Sequence, residues 1–211
     1  MKRGSDLPAS GYNALMPRFA YPLVFLATAC ASLPPAAADD APREAFFARL
    51  SALCGQAFEG RIVSPPVEAD RDFAGQRLTM HVRDCSEDEI HIPFSVGEDR
   101  SRTWVIRRQG TPGRPSALTL SHDHRHDDGS EDRLSRYGGA TVSGGTESRQ
   151  EFPADDFSKT LFRRENLLAS IDNVWAVEVH PGRAFAYELH RPNRFFRVEF
   201  DLTQPVPPPG G

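Results

Sequence analysis

The chain has 211 residues, 39% of them hydrophobic and 26% charged, with a formal charge of −4 at pH 7. Adding its 16 glycines brings the apolar share near the ordinary globular value of about 45–50%, which excludes a disordered chain. The acidic balance argues against a nucleic-acid partner, and the length allows one domain with a core of its own.

The first 38 residues differ in kind from the rest. Arg18 precedes an apolar run from Phe19 to Ala29, and small residues and prolines follow, the layout of a secretory signal peptide. The run falls short of the about 20 apolar residues that a transmembrane helix needs, so no membrane-spanning segment is expected in the mature chain. Cleavage after Ala38 would start the mature protein at Asp39. A rival site, Ala27-Thr28-Ala29-Cys30, resembles a bacterial lipobox and would place a lipid anchor on Cys30. Either route predicts an exported protein, periplasmic, secreted or anchored as a lipoprotein. Removing 1–38 takes away Lys2, Arg3, Arg18 and Asp6, leaving 22 basic against 28 acidic side chains, a formal charge of −6. The two cysteines that remain, Cys54 and Cys85, read as one disulfide in an exported chain.

Beyond the signal, Asp40 is placed to cap a helix with Phe46, Phe47, Leu50 and Leu53 at helical spacing, stopped at Gly55. Its apolar stripe should cover one end of a sheet. Phe58 to Val63 reads as a first strand, followed by a polar loop to Gly75. Leu78, Met80 and Val82 then alternate with polar neighbours, and after the turn around Cys85 so do Ile90, Ile92, Phe94 and Val96. Pro93 falls on the outward set, which suits an edge or a bulge. Gly97 to Arg102 reads as a charged loop, Thr103 to Arg108 as a strand around Trp104 and Ile106, and a further strand starts at Ala117 with Leu118 and Leu120 inward. The stretch 127–145 is the least ordered by composition. A strand is expected over 147–152 and a helix capped by Asp155 or Asp156 over 155–165.

The last third carries the clearest pattern. Trp175, Val177 and Val179, then Phe185, Tyr187 and Leu189, then Phe196, Val198, Phe200 and Leu202 form three period-2 runs separated by the turn sequences HPGR and RPNR, an antiparallel meander. Facing Val179 with Phe185 requires an odd loop, such as 181–183. At the second turn proline argues against a two-residue primed turn, which favours a four-residue loop, 191–194. The tail 205–211 reads as a disordered Pro/Gly segment.

The fold class that follows is mainly β, a single antiparallel barrel of about nine strands with two short helices over residues 39–204. Closure is favoured because an open sheet of that length would leave long edges; a β-sandwich is the alternative. The segments LCGQAFEGRIVSPP, LSHDHRHDDGSEDRLSRYGG, RQEFPADDF and RPNRFFRVEFDL together resemble an uncharacterised family of exported proteobacterial proteins. The barrel layout is similar to the calycin, or lipocalin-like, superfamily, although the Gly-x-Trp signature of the first lipocalin strand is absent and Gly55-Gln56-Ala57-Phe58 stands nearest to it. Neither resemblance transfers a functional residue.

Strand parity sorts the candidate functional residues. Trp104, Trp175, Phe185, Tyr187 and Phe196 belong to the inward set, and Trp104, Trp175 and Tyr187 are the candidates to contact a small apolar or amphiphilic ligand inside the barrel. His81, His91, His180 and His190 fall on outward sets. His122, His124 and His126 continue the inward parity of Leu118 and Leu120, about 7 Å apart along one strand face, a spacing that zinc or copper ligands can share. Asp123, Asp127 and Asp128 are their candidate acceptors; the same residues also suit a solvated turn. Arg191, Arg194 and Arg197 beside Phe195 make an exposed basic and aromatic spot near the last turn, where anionic ligands or lipid headgroups could dock; a solvated face with cross-strand pairs to Glu188 and Glu199 suits the same residues. No recognised catalytic motif is present. The leading expectation is therefore a non-enzymatic ligand-binding envelope protein. A metal-binding protein or metal-dependent enzyme, with a divalent cation on the three histidines, is the first alternative, and a structural or interaction lipoprotein is the second.

Overall fold

The computed structural model describes residues 40–111 and 114–209, with side chains described outside 111–115. The signal segment, Cys30 and the chain's last two glycines lie outside the described residues. Helix α1 (Asp40–Ser51) is followed by strands β1 (Ala57–Ile62), β2 (Leu78–His81), β3 (Asp84–Cys85), β4 (Glu89–Val96), β5 (Asp99–Thr111), β6 (Arg114–His124), β7 (Tyr137–Ala140) and β8 (Arg149–Pro153). Helix α2 (Asp156–Arg164) precedes β9 (Val174–His180), β10 (Ala184–Arg191) and β11 (Arg194–Val206). Two short 3-10 helices, Glu68–Phe73 and Leu168–Asp172, interrupt the loops before β2 and β9.

The strands form one antiparallel sheet in the order β7-β6-β5-β4-β2-β1-β11-β10-β9-β8, with β3 beside β4. The sheet curls until its two ends meet in a nearly closed barrel. At the seam Gly139 makes a single bridge to Ala154. The rest of the closure comes from α2. Asp155 caps it by accepting the Ser158 N–H at 2.7 Å, and its own N–H donates to the Gly138 carbonyl at 3.0 Å. The Ser158 hydroxyl both accepts from the Gly138 N–H at 2.7 Å and donates to its carbonyl at 2.9 Å. Two glycines are required in β7, since a Cβ on Gly138 would lie 1.8 Å from the Leu120 carbonyl oxygen of β6 and one on Gly139, at the seam itself, 1.8 Å from that of Pro153.

The meander carries the expected register, with Val179 opposite Phe185 across a three-residue turn and Leu189 opposite Phe196. The second turn corrects the expected four-residue loop. Arg191 pairs directly with Arg194, so only Pro192 and Asn193 turn the chain. Asn193 adopts φ 61°, which lets proline keep its fixed negative φ at the first turn position and leaves the positive φ to a residue that tolerates it. Pro93 falls where the neighbour of β4 changes from β3 to β2, so the residue without an N–H sits at an interruption of the ladder.

Other boundaries move as well. The charged loop expected at 97–102 is a tight turn, and β5 starts at Asp99. The stretch 127–145, the least ordered by composition, contains β7. The tail expected from 205 begins later, because Pro205 and Val206 still pair with Phe58 and Ala57.

One end of the barrel is plugged. Phe46, Phe47 and Leu50 of α1 are fully buried, the Arg108 guanidinium lies over the Phe47 ring at 4.4 Å, and Arg43 Nε donates to the Thr141 hydroxyl at 3.2 Å. Cys54 and Cys85 form a disulfide that ties the turn after α1 to β3 at this end. Buried apolar side chains of all the long strands fill the space above the plug. His122 and His124 lie at the far end of β6 from Leu118, and there the packing opens.

Candidate functional site: the open end of the barrel

At that end a cavity of about 460 Å³ is lined by residues of β4, β5, β6, β7, α2, both 3-10 helices and β9 to β11. The volume falls within the range of about 300–1,000 Å³ usual for small-molecule sites. Its floor is aromatic. The Trp104 ring lies nearly parallel to Tyr187 on one side, with centroids 4.4 Å apart, and to Phe94 on the other at 4.7 Å. Trp175, Phe196 and Phe162 complete the walls, with Leu134, Leu167 and Leu189. All three ligand-contact candidates, Trp104, Trp175 and Tyr187, therefore line one cavity.

The three histidines separate. His122 is buried: its Nδ1–H donates to the Tyr137 carbonyl at 3.0 Å and its Nε2 accepts the Tyr187 hydroxyl at 2.7 Å. Burial pulls its pKa down to about 3, so the ring is neutral, and with Nδ1–H donating, Nε2 is left as the acceptor. His124 lines the cavity, accepts the Tyr137 hydroxyl at 3.3 Å and has its pKa lowered, chiefly by burial and then by Arg102. Burial likewise pushes Tyr137 up to about 12.

His126 is exposed and lies 3.5 Å from Asp132. Of the acceptors expected for these rings, Asp123 pairs with Arg125 and Asp128 takes two hydrogen bonds from Ser130. Among the described residues no three of His, Cys, Asp and Glu converge to hold a metal ion. The expected three-histidine centre is corrected on geometry: His122 has both ring nitrogens engaged, and β6 ends at His124 so that His126 leaves the inward face.

The basic spot near the last turn also divides. Arg197 faces outward and pairs with Glu178 at 3.0 Å, Glu199 at 2.8 Å and Glu188. Arg191 and Arg194 line the cavity together with Arg102. Arg194 forms a two-pronged ion pair with buried Asp70 of the first 3-10 helix, one contact at 2.8 Å. Arg102 pairs with Asp99 and lies over Phe73 at 5.8 Å. Arg191 donates from one terminal nitrogen to Ser170 Oγ and Asn173 Oδ1, each at 3.0 Å. The sequence groups Arg191 and Arg194 with Arg197 as one exposed spot, yet parity already separates them: Arg191 stands two residues after Leu189 and Arg194 two before Phe196, on the inward set. Asp70, Ser170 and Asn173 carried no periodic signal.

The cavity thus combines an apolar floor with a cationic mouth. No helix among the described residues is long and apolar enough to cross a membrane. No protein-family model, curated protein or solved structure matches the chain.

Proposed function

We propose that this is a binding protein that holds a small apolar or amphiphilic ligand in the open end of its barrel. The observation that carries this reading is the cavity of about 460 Å³ whose floor is the Phe94–Trp104–Tyr187 stack. Flat, rigid aromatic surfaces provide apolar contact area at little entropic cost on binding, and a few polar groups at the rim orient the guest. Export is part of the proposal. It is supported by the signal-like N-terminus, the resemblance to exported proteobacterial proteins and a disulfide that suits an oxidising compartment. A calycin-like role agrees with a barrel plugged at one end and open at the other.

The two tryptophans of the chain both line the cavity, so intrinsic fluorescence reports occupancy directly. Titration with 1-octanol is expected to give a saturable change, weakened about tenfold or more by Leu134→Phe, which adds a ring to the cavity wall away from the plugged end. A linear, non-saturating response, or one indifferent to Leu134→Phe, would overturn the proposal.

A further inference from the structure

The cations at the cavity mouth are not equivalent. Arg194 is neutralised by Asp70 and Arg102 by Asp99. The carboxylate that lines the cavity, Asp132, is 3.5 Å from His126. Arg191 is the exception among the three arginines that line the cavity. Its partners are the neutral Ser170 hydroxyl and Asn173 amide oxygen, both reached from the same terminal nitrogen, and no carboxylate pairs with it. Among the described residues no acceptor meets its Nε or its second terminal nitrogen, which keep their N–H donors.

The backbone holds this group in place. The two-residue Pro192-Asn193 turn sets Arg191 directly opposite Arg194, so a second positive charge stands beside it. Burial and that neighbour both lower the pKa of Arg191, as expected for a cation whose charge is uncompensated. Ser170 and Asn173, at the two ends of the turn before β9, fix the guanidinium plane by their hydrogen bonds. A planar fork with free donors beside an apolar cavity is the arrangement that receives a carboxylate in two parallel hydrogen bonds.

We infer that the ligand is an acid, an amphiphile whose carboxylate is received by Arg191 while its apolar body lies on the Trp104 stack. This rests on the binding reading above and adds the chemical class of the ligand. A charged hydrogen bond contributes about 1.5–3 kcal/mol, which corresponds to a preference of roughly tenfold or more.

The test compares octanoate with 1-octanol, two ligands of equal chain length, by tryptophan fluorescence at pH 7. Wild-type protein is expected to bind octanoate about tenfold or more tightly than the alcohol. Arg191→Gln is expected to bring the ratio of the two affinities to within about threefold of one, whatever it does to the affinity for 1-octanol itself. Equal wild-type affinities, a comparison that needs no variant, would overturn the inference and leave the binding reading standing. So would an acid preference that survives Arg191→Gln. If neither ligand binds, both fall together.

Discussion

His122 shows how one side chain can be chemically reactive in type and inert in place. Its ring is buried and neutral, with one nitrogen donating to Tyr137 and the other accepting from Tyr187, and its pKa of about 3 lies far below the ordinary 6.5. In the unfolded chain the imidazole takes up a proton as pH falls through about 6.5, while in the folded protein it does not until about pH 3. The unfolded state therefore binds more protons throughout that window, so stability decreases as pH is lowered. Between pH 7 and pH 4 this group alone should remove roughly 3 kcal/mol. His122→Gln, which cannot titrate, should lack that component. Urea unfolding of both proteins at the two pH values measures it, and parallel pH slopes would refute the assignment.

Parity along β6 was enough to place His122 inside the barrel from sequence alone. The ring's fate was not readable there, because Tyr187 is 65 residues away and meets it only across the barrel. The same reasoning explains Arg191, whose inward position follows from Leu189. That its neighbour Arg194 is paired with Asp70, 124 residues away in sequence, was no more readable there.

Among the elements, those with an apolar face or a cap signal were legible, α2 with its Asp155 cap included, and β7, which serves closure by backbone proximity alone, was not. The strands of the meander and the β4–β6 region announce themselves by alternation, because each has one face in the core. Strand β7 has the sequence Tyr137-Gly138-Gly139-Ala140 and no hydrophobic period. Its glycines are there for backbone proximity, which composition reads as disorder. The 3-10 helix at Glu68–Phe73 was hidden for a related reason, since its contribution is one buried acid and one ring rather than a stripe.

The closing role of β7 gives a prediction at this scale. Gly139→Ala sets a methyl against backbone on β8 that cannot move without opening the seam. It should destabilise by about 3 kcal/mol or more, at the upper end of overpacking costs. Gly129→Ala is the control, because that position has φ +80° and open space around it, and backbone strain alone should cost about 1 kcal/mol. Equal urea midpoints for the two variants would show that the seam does not depend on close approach.

Taken whole, the molecule divides its barrel between two tasks. The end plugged by α1 is packed with Phe46, Phe47 and Leu50 and locked by Cys54–Cys85, whereas the other end keeps a cavity lined by aromatic side chains. A cross-link across 31 residues restricts the unfolded chain by about 3–4 kcal/mol in the loop-entropy treatment. None of the cavity-lining residues belongs to the closed loop's anchor points: Cys54 follows α1 and Cys85 lies on β3, both outside the ring of residues around the Trp104 stack. The double substitution Cys54→Ser, Cys85→Ser should therefore lower the unfolding free energy by about 3–4 kcal/mol while 1-octanol affinity, measured where the variant remains folded, changes less than about twofold. A large loss of affinity in that folded variant would mean that the plug shapes the cavity through the core between them, and the two ends would have to be treated as one cooperative unit.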